Sequence, residues 1–72
     1  MTTALRYDRY IGNIHYWIRF NNGTHEVRYA EPIGYNDLGY EDFEIYTAFK
    51  GHYEDCVKFI DECETEYLES LL

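Results

Sequence analysis

Apolar residues recur on every second position through the first thirty residues of the chain. Leu5, Tyr7 and Ile11, then Ile14, Tyr16, Ile18 and Phe20, then Val27 and Tyr29 keep this rhythm, with Arg9 the one polar interruption. Alternation with aromatic and β-branched side chains marks half-buried strands, and the runs predict strands at about 4–11, 14–21 and 24–30. Gly12-Asn13 and Asn22-Gly23 separate them, and both pairs suit two-residue hairpin turns that need positive φ. A two-residue loop at Asn22-Gly23 sets Phe20 opposite His25, Ile18 opposite Val27 and Tyr16 opposite Tyr29. A loop one residue longer sets Ile18 against Glu26 and mixes the faces, so the shorter loop is expected. The Gly12-Asn13 turn sets Ile11 opposite Ile14, Tyr7 opposite Ile18 and Leu5 opposite Phe20, which gathers the apolar residues of all three strands on one face.

Pro32 donates no ladder hydrogen bond and is expected to end the third strand, with a loop over 33–41 punctuated by Gly34 and Gly39. Phe43, Ile45, Thr47 and Phe49 then alternate with Glu44, Tyr46, Ala48 and Lys50, which reads as a fourth strand at 42–49; a short helix is the competing reading. After Gly51 the period changes to 3.6. Tyr53, Cys56, Val57, Ile60, Cys63, Tyr67 and Leu71 share one helical face, flanked by Phe59 and Leu68, and predict a helix over 52–71. Glu64 falls on the apolar side of that helix without a partner evident from the sequence. The expected fold is α+β: an antiparallel β-meander of three to four strands with one C-terminal helix packed on one face, β-β-β-β-α, forming a single domain over 1–72.

The chain has 72 residues, 46% of them hydrophobic and 19% aromatic, which is too much core material for a disordered acidic tail. No apolar run reaches the length of a membrane span, and the N-terminus lacks the apolar stretch of a secretory signal, so a soluble, cytoplasmic protein is expected. Cys56 and Cys63 lie seven residues apart on the predicted helix, roughly 10 Å along its axis, beyond the reach of a disulfide. Both are expected as free, buried thiols. His52 and Cys56 have a spacing that can hold a metal, but nothing completes the ligand set.

Charge is divided unevenly. Residues 1–30 carry a balance of +2 and residues 31–72 a balance of −10, within a formal net charge of −8. On the helix, Glu54, Asp55, Asp61, Glu62, Glu66 and Glu69 point outward with Lys58 alone to offset them. Asp55, Glu62, Glu66 and Glu69 fall within about 60° around the axis and form a stripe. A charged outer face can serve solubility alone. Here, though, the acids mostly repel one another, and Glu66 and Glu69 oppose the helix dipole in the last turns. The stripe is therefore the first candidate for a partner-binding surface. The second is the far face of the sheet, where the registers gather Arg6, Tyr10, His15, Trp17, Arg19, Glu26 and Arg28. Such a basic, aromatic platform can stack bases or anchor a protein interface, while cross-strand pairing of Arg19 with Glu26 and Trp17 with Arg28 is its plainer purpose.

No nucleotide-binding loop, metalloprotease motif, calcium loop or nucleophile elbow occurs, and a chain this short leaves little room for a substrate-sized pocket. A non-enzymatic binding protein without metal or cofactor is expected. In size, acidity and sheet-plus-helix layout the whole chain resembles the small phage-encoded inhibitors of host defence, the anti-CRISPR proteins. That resemblance implies an inhibitor working in the host cytoplasm, its acidic surface mimicking DNA against a protein partner with a basic nucleic-acid-binding surface, and binding no nucleic acid itself. The alternative is a nucleic-acid-binding or regulatory interaction module using Trp17, Arg19 and Arg28, with Tyr10 and His15.

Overall fold

Two tight turns set the order of the sheet. Asn22 and Gly23 both hold positive φ, at 52° and 80°, and Gly12 holds 63°, the values that two-residue hairpin turns demand. The computed structural model describes residues 7–72; Leu5, Arg6 and the start of the strand expected at 4–11 lie outside the described residues. Four strands, β1 (Asp8–Ile11), β2 (Ile14–Asn21), β3 (Thr24–Tyr35) and β4 (Glu41–Gly51), precede one helix, α1 (Tyr53–Ser70). The strands pair antiparallel in chain order, β1-β2-β3-β4, so the molecule is the α+β meander and helix that the periodicity predicts.

The predicted registers hold: Ile11 faces Ile14, Ile18 faces Val27, Tyr16 faces Tyr29, Trp17 faces Arg28 and Arg19 faces Glu26. Tyr7 precedes β1, yet its carbonyl accepts a hydrogen bond from the Ile18 N–H at 3.1 Å. Even-numbered residues of β2 and the odd-numbered residues of β3 as far as Glu31 face α1; a register shift between Pro32 and Gly34 turns Tyr35, paired with Glu41, to the other side. The residues between them point to the other side and form an open face that no described element covers.

Three departures from the sequence expectation matter. Pro32 does not end β3, which runs on to Tyr35. Pairing of β3 with β2 stops at Ala30, so Pro32 has a strand on one side only, and its missing donor falls on the empty side. The loop expected over 33–41 is accordingly a turn at 36–40, where the Asn36 carboxamide oxygen accepts from the N–H groups of Leu38 and Tyr40 at 2.9 and 3.0 Å. Residues 42–49 are strand, not helix. Finally, a bulge leaves Ala48 unpaired between Phe49, opposite Val27, and Thr47, opposite Arg28. The bulge splits the alternating set: Phe49 faces α1, whereas Phe43, Ile45 and Thr47 face the open side.

The core is small. Ile11, Val27, Cys56 and Ile60 are buried, and Tyr7, Tyr16, Ile18, Phe49, Phe59 and Cys63 pack around them. Phe49 and Phe59 stack at 5.3 Å between ring centroids. Phe20, expected in this core, lies past the end of the helix contact with 65% of its surface exposed, tilted against His25 at 5.0 Å. Leu68 and Leu71 are also exposed, and Cys63 is half-buried.

Glu54 and Asp55 favour the start of α1 through its dipole, and no basic residue stands in its last turn. The helix is tied to β1 and its approach at three places. The Tyr7 hydroxyl donates to Asp61 at 2.8 Å, Arg9 pairs with Glu64 at 3.3 Å, and the Tyr67 ring packs so tightly on Gly12 that a Cβ there would sit 3.2 Å from it. Glu64 thus finds the partner the sequence did not disclose.

Ile60 is wholly buried at the centre of this core. Ile60→Ala is expected to destabilise the domain by about 2–5 kcal/mol, a large share of what so small a core supplies. Thermal unfolding followed by circular dichroism should show the lowered transition; an unchanged one refutes the packing.

Candidate interaction surfaces

The fold sorts the two candidate surfaces onto opposite sides. On the helix side, Glu54, Asp55, Glu62, Glu66 and Glu69 are exposed, and none of them forms an ion pair with a cation among the described residues. Asp61, the sixth acid predicted for this surface, is drawn aside by the Tyr7 hydroxyl. The extended β3–β4 arm adds two further carboxylates on the same side. Glu31 stands directly opposite Glu44, an arrangement of like charges that weakens a sheet. Beside them Tyr16, Tyr29 and Tyr46 form a ladder with ring centroids 5.4 and 5.3 Å apart. The Tyr46 hydroxyl donates to Glu44, and that bond pushes its pKa up to about 12. Burial raises the Tyr16 hydroxyl as well, with the Cys63, Tyr29 and Glu31 groups adding to it.

The opposite, open face carries Tyr10, His15, Trp17, Arg19 and Arg28, as the sequence predicts, and also Lys50, Phe43 and Ile45, which it did not assign there. Tyr10 stacks on His15 at 4.5 Å, and His15 leans on Trp17 at 5.1 Å. Next to these rings Glu26 is buried, with one oxygen accepting from Arg19 Nε at 3.0 Å. Arg28 and Lys50 approach it at 3.8 and 3.7 Å. Three cations therefore gather on one carboxylate. The hydrogen bond from Arg19 holds the Glu26 carboxyl below its ordinary range, against the opposing effect of burial. Sequence alone pairs Arg19 with Glu26; it does not reveal that Arg28 and Lys50 converge there too, because the second follows from the register of β4.

A groove of about 1100 Å³ runs along the open face between Tyr10, His15, Trp17, Pro32, Phe43 and Ile45. Chain length alone argued against so large a concavity. It exists because the β3–β4 arm curls past the end of β2 instead of stopping at Pro32. A smaller cleft lies on the helix side, where Tyr16 and Cys63 meet Gly12 and Tyr67.

Cys56 and Cys63 are free, and burial raises both thiols, so each is protonated at neutral pH and a weak nucleophile. Among the described residues no group of three His, Cys, Asp or Glu side chains is placed to hold a metal ion, and no helix is long and apolar enough to cross a membrane. No protein-family model, curated protein or solved structure matches the chain.

The Glu26 cluster has a pH signature. Its folded-state pKa is lowered from the ordinary 4.5; the stabilisation it gives is therefore present above that value and is lost as pH falls through the lower folded one. Glu26→Gln should lower the melting temperature at pH 7, and the gap between wild type and variant should close on acidification from about pH 5 to pH 3. Melting curves across that range check it; a gap that stays constant refutes the assignment.

Proposed function

We propose that this is a non-enzymatic binding protein whose helix-side carboxylates occupy the basic, nucleic-acid-binding surface of a protein partner, standing in for phosphates. The observation that carries the reading is the sidedness of the charge. Arg19, Arg28 and Lys50 all lie on the open face and close on Glu26, which leaves the helix side with its acids and little to balance them. Lys58 and Arg9, the latter paired with Glu64, are its only lysine or arginine side chains among the described residues. Glu62, Glu66 and Glu69 rise along α1 in steps of about 6 and 4.5 Å, and Glu31 and Glu44 extend the negative field onto the arm.

Clustered like charges cost a small protein stability, and a dense cationic groove is the surface that would relieve that repulsion. In the phage setting that the sequence resembles, the partner is a nucleic-acid-binding defence complex of the host and the protein is its inhibitor. The alternative, direct nucleic-acid binding through Trp17, Arg19 and Arg28, is weaker because Glu26 already neutralises part of that cationic cluster, and because the net charge of −8 repels phosphate.

Capture from a bacterial lysate tests the reading. Wild-type protein should retain nucleic-acid-binding proteins that added DNA displaces and that salt releases, since screening shortens from about 8 Å at 0.15 M to about 3 Å at 1 M. Replacing Asp55, Glu62, Glu66 and Glu69 with lysine should weaken capture about tenfold or more, equivalent to ~1.4 kcal/mol, without loss of fold, because cations suit the last turns of a helix. Capture indifferent to DNA, to salt and to these substitutions refutes the proposal.

A further inference from the structure

We propose that the open face of the sheet is a homodimer interface, formed by two copies packed face to face and antiparallel about a two-fold axis that crosses the strands near the Ala30–Ile45 pair. The proposal does not depend on the acidic-surface reading, since it uses the other side of the molecule.

The first support is uncovered apolar area. Tyr10, Tyr35 and Phe43 are 70%, 74% and 52% exposed, and Ile45 is 53% exposed. At about 200 Å² per aromatic side chain, the three rings alone leave about 400 Å² open. That is half of the roughly 800 Å² each partner buries in a stable interface, before Trp17, His15 and Pro32 are added. The three rings line one groove, and an apolar patch of about 400 Å² is of the size that often marks an interaction site.

The second support is charge complementarity, and it selects both the occupant and the orientation. One end of the face carries Arg19, Arg28 and Lys50 around the single carboxylate of Glu26. The other end carries Glu41, paired with Tyr35 and lining the groove. The two ends lie nine residues apart along β4, about 30 Å, with the apolar residues between them. A two-fold axis along the strands would lay cations on cations. An axis across the strands lays each copy's Lys50 end on the other's Glu41 and brings the two Ile45 side chains together at the centre. A surface that is its own complement in this way closes as a two-fold dimer.

The third support is the placement of the remaining charge. With sheets packed at the usual ~10 Å, the two helices lie on opposite outer surfaces, so the exposed acids of α1 in one copy are held away from those of the other.

Sedimentation equilibrium over about 1–100 µM protein tests the interface. The expected species has twice the 8.7 kDa of the chain, and the emission of Trp17, the sole tryptophan, should shift to the red on dilution. Phe43→Asp and Ile45→Lys, at positions exposed in the monomer, should yield monomers that keep the wild-type circular dichroism spectrum. Glu41→Lys and Lys50→Glu should each weaken association at least about tenfold, and the double variant should restore it; melting curves establish that each is folded. A monomer at all concentrations overturns the proposal. So does a dimer that persists in Phe43→Asp and Ile45→Lys, which would pair through the β4 edge or the helix, and so does a double variant no tighter than the single ones.

Discussion

A single helix of eighteen residues, about 27 Å long, has to cover a sheet whose longest strand runs about 40 Å. That mismatch governs the rest of the molecule. The helix spends its apolar face on Ile11, Val27 and the rings around them, and no other described element covers the arm or the other face of the sheet. Among the described residues the apolar core is thus reduced to Ile11, Val27, Cys56 and Ile60, and aromatic residues that a larger protein would bury stand in solvent instead.

Glu26 solves the electrostatic half of the same problem. Like charges in one small sheet repel, yet three cations converge on this buried carboxylate. Glu26 is the one buried member and the partner all three share, so its removal leaves three cations facing one another without a counter-charge. By collecting positive charge on one side it leaves the helix side negative.

Much of this was legible from period and turn chemistry. The two hairpin turns and the alternation through Tyr29 determine every described pairing of β1 with β2 and of β2 with β3, because a slip of one residue would exchange the faces. What sequence could not show depends on neighbours far along the chain. Whether Pro32 breaks a strand depends on where β2 stops. Whether Phe43 and Phe49 share a face depends on the bulge at Ala48, and whether Glu64 is misplaced depends on Arg9, fifty-five residues earlier. The outward acids of α1 and the open-face set of Tyr10, His15, Trp17, Arg19 and Arg28 were readable, since helical and strand period place them. Lys50, Phe43 and Ile45 were not, for they reach that face only through the register of β4.

The contacts between Gly12 and Tyr67, Tyr7 and Asp61, and Arg9 and Glu64 join the two ends of the chain. Every strand pairing is local and closes through a short turn, whereas these contacts close a loop of more than fifty residues, with an entropic cost that grows as the logarithm of its length. The four-residue β1 is thus secured on one side by its hairpin and on the other only once the last turns of α1 arrive. Neither half of the chain completes a core alone: the outermost strand waits on the final element.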